Sequence, residues 1–114
     1  MKLIIAGSRN VTITLEDIDR VIRGAKNPIT EIVSGGARGP DTTAIAWARR
    51  EGMQHVVFNP GWKQHGRAAG GVRNLKMANY ADALVAFWNG RSNGTRNMIE
   101  HMRALGKPTH VVKC

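Results

Sequence analysis

The residues of this chain best suited to chemistry are basic side chains set among glycines. Arg9, Arg38, Lys63, Arg67, Arg73, Arg91 and Arg96 stand in or just beyond short glycine-rich segments, and Asp41 is the one acid that shares those segments closely. A planar guanidinium matches a phosphate through paired N–H···O bonds. Glycine beside it lets backbone amides approach an anion and tolerates positive φ. Four segments carry the pattern: Gly7-Ser8-Arg9, Ser34 to Asp41, His65 to Asn74 and Gly90 to Thr95. The second is not a Walker loop, because no Gly-Lys-Ser/Thr ends it. The candidate ligand contacts are Gly7, Ser8, Arg9, Gly35, Gly36, Ala37, Arg38, Asp41, His65, Arg73, Asn74, Gly90, Ser92, Gly94 and Thr95.

Alternating strands and helices must position these segments. Lys2–Ala6, Glu31–Ser34, His55–Phe58, Ala83–Trp88 and Thr109–Val112 read as strands. Their apolar cores are continuous, as in parallel strands covered on both faces. Helical spacing links Leu15, Ile18, Ile22 and Ala25, with Thr14 and Asp17 placed as a capping box. Ala44, Ile45, Trp47 and Ala48 form a second apolar face, with Pro40 in its first turn. Val72, Leu75 and Ala78 form a third, and Met98, Ile99, Met102 and Leu105 a fourth. Gly24, Gly52 and Gly106 fall where helices should end. The expectation is one α/β domain over residues 1–114: a three-layer Rossmann-like sandwich on a five-stranded parallel sheet, order 3-2-1-4-5. That order puts the switch point between strands one and four, so Gly7-Ser8-Arg9 should face Gly90–Thr95 across a crevice.

Composition narrows the partners. Seventeen Lys and Arg against eight Asp and Glu give a formal net charge of +9, which attracts anionic metabolites or polyanions. No run approaches the ~20 apolar residues of a membrane span, and Leu3-Ile4-Ile5-Ala6 is too short for a signal-peptide core, so a cytoplasmic location is expected. The single cysteine, Cys114, excludes an intrachain disulfide, and the spacing of His55, His65, His101 and His110 suggests no metal. No cofactor is called for. Trp62 and Trp88 flank the segments and either could stack on a base or pack against the sheet edge; Trp47 belongs to a helix core face. Asp41 is expected to cap amides in a first helical turn or to pair with Arg38.

In this order the four segments resemble the SLOG superfamily, the Rossmannoid group that includes the LOG (lysine-decarboxylase-like) and DprA proteins, and within it the small YspA-like branch. LOG relatives carry Arg-Lys-x-x-Met, Ala-Asp-Ala, a strand, then Pro-Gly-Gly-x-Gly-Thr-x-x-Glu. Here Arg73, Met77, Ala81-Asp82-Ala83 and Gly94-Thr95 match, and Asp41 matches the family's Gly-Ala-Arg-Gly-x-Asp. The glutamate position holds Met98. In LOG enzymes that glutamate serves to cleave a base from a nucleoside monophosphate. A thioether is neither a general acid nor a stabiliser of an oxocarbenium-like centre, so the catalytic residues are unknown and binding without turnover is favoured.

The resemblance implies a nucleotide-derived phosphorylated ligand, sensed or sequestered, as in antiviral nucleotide-signalling systems or a viral sponge; it also implies a homodimer. Two alternatives stay open: a phosphoribohydrolase-like enzyme, and a binder of single-stranded nucleic acid.

Overall fold

In the computed structural model, which describes residues 1–60 and 66–114, strand and helix alternate along the chain. The elements are β1 (Lys2–Gly7), α1 (Leu15–Arg23), β2 (Glu31–Ser34), α2 (Pro40–Glu51) and β3 (Gln54–Val57). A 3₁₀ turn (Gly66–Ala68) then leads into α3 (Ala69–Tyr80), β4 (Ala83–Trp88), α4 (Asn93–Ala104) and β5 (Thr109–Lys113). All strand pairs are parallel and the order is β3-β2-β1-β4-β5.

The layers follow from the alternation of side chains along the central strands. Leu3 and Ile5 of β1, Ile32 of β2 and Ala83, Val85 and Phe87 of β4 pack against Ile18 of α1 and Ala44, Trp47 and Ala48 of α2. The other face joins Ile4, Ala6, Val33, Leu84 and Ala86 to Met77 and Ala78 of α3 and Met98, Ile99 and Met102 of α4. Two helices per face make the expected three layers.

The central strands β1, β2 and β4 are buried through their interiors. The edge strands differ from the sequence expectation: β3 and β5 are only half-covered, with Gln54 and His110 exposed. An apolar run at a sheet edge has a neighbour on one side only, which sequence continuity alone does not reveal.

Local chemistry explains the element ends. Thr14 caps α1: its hydroxyl accepts from the Asp17 amide, and the Asp17 carboxylate accepts from the Thr14 amide at 2.8 Å. α1 ends at Gly24, so Ala25 lies beyond it, and Gly24 closes the helix in right-handed geometry. Gly52 closes α2 at φ +64, the left-handed cap that a side chain would strain. The expected core face of α3 is corrected in one position. Leu75 is 44% exposed, while Asn74, Met77 and Ala78 face inward. Leu105, 45% exposed, caps α4 rather than extending its apolar face. The last turn of α3 is held by Lys107, whose ammonium donates to the Ala78 and Ala81 carbonyls, each at 2.7 Å, and to Asn79 at 3.3 Å. Among the described residues no helix is long and apolar enough to cross a membrane.

A candidate anion cleft at the switch point

β1 and β4 are adjacent, yet their following helices depart to opposite faces of the sheet. The turns beyond them therefore separate and leave a crevice. Ser8 fastens its two walls. Its amide donates to the Phe87 carbonyl at 3.0 Å, and its hydroxyl accepts from the Asn89 amide at 3.2 Å. Asn89 also donates to Asn10 at 3.0 Å, while its own side-chain oxygen accepts from the amides of Arg91 and Ser92.

Gly7 allows the approach. A Cβ there would stand 2.4 Å from Pro40 Cγ and 2.6 Å from the Phe87 carbonyl oxygen, so the start of α2 lies directly against the end of β1.

The loop from Ser34 to Asp41 supplies a third wall. Ser34 donates to the Asp41 carbonyl at 3.0 Å and accepts from the Gly36 amide at 3.1 Å. Thr42 donates to the Ala37 carbonyl at 2.7 Å. These bonds fold the loop back over the start of α2 and carry Asp41 inward, where it is 5% exposed.

Asp41 faces Arg73 of α3, which corrects the pairing with Arg38 expected from their proximity in sequence. Arg38 is exposed and does not line the cleft. Arg73 donates to the Gly35 carbonyl at 2.8 Å and, through Nε, to the Asn74 side chain at 3.0 Å. Asn74 in turn donates to the Gly94 carbonyl at 3.1 Å and to Asn97 at 3.0 Å. One chain of hydrogen bonds thus runs from the second loop, through α3, to the start of α4.

The result is a small open cleft of about 90 Å³. Its lining includes Gly7 and Arg9 from the first turn, Ala37 and Asp41 from the second, and Arg73 and Asn74 from α3. Ser92, Gly94 and Thr95 close it, with Met77 and Met98 below.

The electrostatics are mixed. Burial pushes the Asp41 carboxyl from its ordinary 3.8 up to about 6, against the opposing pull of the Ala37 amide and the Arg73 charge. Burial also holds the Arg73 guanidinium below the usual arginine range, while Asp41 favours its charge. Asp41 is the only carboxylate lining the cleft among the described residues. Met98 sits at the floor, 1% exposed, where the LOG pattern has an acid.

The structure brings nine of the fifteen candidate contacts to this cleft: Gly7, Arg9, Ala37, Asp41, Arg73, Asn74, Ser92, Gly94 and Thr95. Five others brace it or stand apart. Ser8 is buried and spent on the turn-to-turn bonds, and Gly35 receives Arg73. Gly36 and Gly90 take positive φ, at +71 and +83, and Arg38 is solvent-facing. His65, like Trp62 and Lys63, lies outside the described residues.

Trp88 is half-buried beside the cleft, donating to the Ser92 carbonyl at 3.1 Å. Arg96 and Lys113 stand over its ring, 5.5 and 5.7 Å from the centroid. Sequence reasoning did not anticipate this pairing, nor the role of Asn89; neither residue belongs to a glycine segment's expected contacts.

A larger groove of about 720 Å³ lies toward the amino-terminal edge, between α1 and the starts of β4 and β5. Leu3, Val21, Ala83, Val85 and Pro108 make it mainly apolar. Arg20, Lys26, Asn27, Thr109 and His110 also line it.

Sheet order and switch-point cleft define a Rossmann-like α/β protein. Comparison with known proteins narrows this further. The model of the YspA, cpYpsA-related SLOG family matches residues 1–65, more than half of the sequence, and the chain belongs to that family. Gene 61 protein of Mycobacterium phage D29 is 40% identical over an alignment of 83 residues that covers 68% of this chain and 66% of the phage protein, a little under two thirds of it. Among solved structures, DNA processing protein A (DprA) from Streptococcus pneumoniae superposes with a TM-score of 0.79 at 20% identity. That match covers 99% of this chain and 50% of DprA, and at such identity it shows the shared fold.

Proposed function

We propose that this protein binds a nucleotide-derived phosphorylated ligand at the switch-point cleft, and that it senses or sequesters the ligand rather than transforming it. The observation that carries this reading is the convergence of three glycine-bearing turns on Arg73 and Arg9. The amino-terminal ends of α2 and α4 open beside the same cleft and favour a negative group there. A space of about 90 Å³ is far below the ~300–1,000 Å³ that encloses a drug-sized ligand. It suits one phosphoryl group, with the remainder of the ligand lying along the rim. Trp88 offers that remainder an apolar surface.

The phosphoribohydrolase alternative needs a carboxylate near the sugar. Met98 supplies none, and Asp41 is held between Arg73 and the Ala37 amide. The phage relative accords with a sequestering role. Within this reading we retain the expected homodimer, which light scattering tests directly.

The test is mass spectrometry of whatever co-purifies with the protein, alongside Arg73→Ala. Retention of a phosphorylated ligand by the wild type and its loss from the variant are expected. Equal retention by both would remove the cleft from consideration. Release of free base from nucleoside monophosphates would replace binding with hydrolysis.

One observation favours a second reading, single-stranded nucleic acid. Trp88, with Arg96 and Lys113 over its ring, is a stacking surface flanked by cations on the same rim. Several phosphate contacts would make affinity for oligonucleotides fall steeply with salt; one or two would give a shallow slope.

A further inference from the structure

Among the described residues, the charged side chains lining the cleft are Arg9, Arg73 and Asp41, a balance of one net positive charge when all are ionised. The opposing charges share one wall of the cleft. A Cβ built on Gly35 would stand 2.6 Å from Arg73 Nη1 and 2.9 Å from Asp41 Oδ2, so guanidinium and carboxylate flank the same loop residue without closing into an ion pair. Both side chains line the cleft, so an anion drawn to Arg73 also feels the charge of Asp41.

We infer that the cleft takes a singly charged phosphodiester in preference to a doubly charged phosphomonoester, and that Asp41 sets this preference. The inference rests on the proposed phosphate site and deepens it. A terminal phosphate carries close to two negative charges at neutral pH, with its second ionisation near pH 6. An esterified one carries a single charge throughout. Amide hydrogens and the two arginines attract both. Only the monoester brings a second charge against a carboxylate that is 5% exposed, where solvent screens poorly.

The same geometry predicts how the preference fades. Burial has already raised Asp41 to about 6, so its carboxyl and a monoester both take up protons as pH falls toward 5.5. The other charged groups lining the cleft with Asp41 are Arg73 on α3 and Arg9 on the first turn.

The test is calorimetric titration of the full chain with adenosine, guanosine, cytidine and uridine 5′-monophosphates and with their phosphate methyl esters. Each pair differs by one methyl group and one charge. At pH 7.5 the ester is expected to bind about tenfold tighter than its parent. The ratio should shrink toward one at pH 5.5 in the wild type, and at pH 7.5 in Asp41→Asn. The wild-type pH series stands independently of how well the variant folds. Monoesters that bind at pH 7.5 as tightly as their esters would overturn the inference and leave the phosphate site in place. A preference that persists unchanged in Asp41→Asn and at pH 5.5 would remove Asp41 as its cause. Absence of binding by every probe would overturn both the inference and the site.

Discussion

Replacing Asp41 by Asn should stabilise the protein at neutral pH, by an amount that the structure sets. The folded chain holds this carboxyl at about 6 against an ordinary 3.8. Between those values the native state binds a proton that the unfolded chain has released, so stability falls as pH rises through the interval. At 1.36 kcal/mol per decade of proton affinity, the loss is roughly 3 kcal/mol, complete a little above pH 6. Asn preserves the shape of the side chain, its oxygen can still accept from the Ala37 amide, and it never ionises. The other perturbed acids act in the opposite sense: backbone hydrogen bonding from Thr14 lowers Asp17, and the Trp47 indole lowers Asp19. Their effects are common to both proteins and cancel in the difference. Urea denaturation of wild type and Asp41→Asn at half-unit steps from pH 4.5 to 8 measures that difference. It should be about 1 kcal/mol near pH 4.5 and climb toward roughly 3 kcal/mol by pH 7.5. A flat difference, or an Asn variant less stable than wild type at pH 7.5, would refute the claim that ionising Asp41 destabilises the fold.

Three further substitutions probe the supports of the cleft. Gly7→Ala drives a methyl to within 2.4 Å of Pro40 and 2.6 Å of the Phe87 carbonyl, and should lower stability by roughly 2–3 kcal/mol in urea titration. Lys107→Met removes the cation that closes the end of α3; a loss of about 1–3 kcal/mol is expected, seen as a lower urea midpoint with an unchanged m-value. Gly35→Ala places its methyl 2.6 Å from Arg73 Nη1, a movable side-chain end, and so should leave the melting temperature within a few degrees while abolishing retention of the co-purifying ligand.

Much of the fold was legible because parallel α/β architecture writes itself locally. Continuous apolar runs marked the strands and capping chemistry marked α1 and α2. Gly35, Gly36, Gly39 and Gly90 fell in the turns that follow strands, while Gly24, Gly52 and Gly106 marked helix ends. Strand order was then the expectation for right-handed crossovers in a doubly wound sheet. The corrections came where a partner is distant in sequence. Asp41 meets Arg73 across 32 positions rather than neighbouring Arg38, because the Ser34 loop folds over α2 and turns Arg38 outward. Leu75 looked like a core residue by its type and spacing, yet the hydrogen bonds of Asn74 to Gly94 and Asn97 fix which face of α3 points inward. Ser8 looked like a ligand contact but is consumed by Phe87 and Asn89. A serine beside glycine and arginine reads alike in either role, and only the opposite strand distinguishes them. The buried Glu31 that accepts from Tyr80 had no local sign at all.

The bonds joining Ser8 and Asn10 to Asn89 bear on how such a protein would select. They set the width of the aperture before any molecule arrives, so association need not immobilise its walls, and little conformational entropy is left to lose. The converse is intolerance. On the proposed reading, an oxyanion broader than phosphate would meet walls already braced against each other, and would be turned away by fit where charge alone would have admitted it.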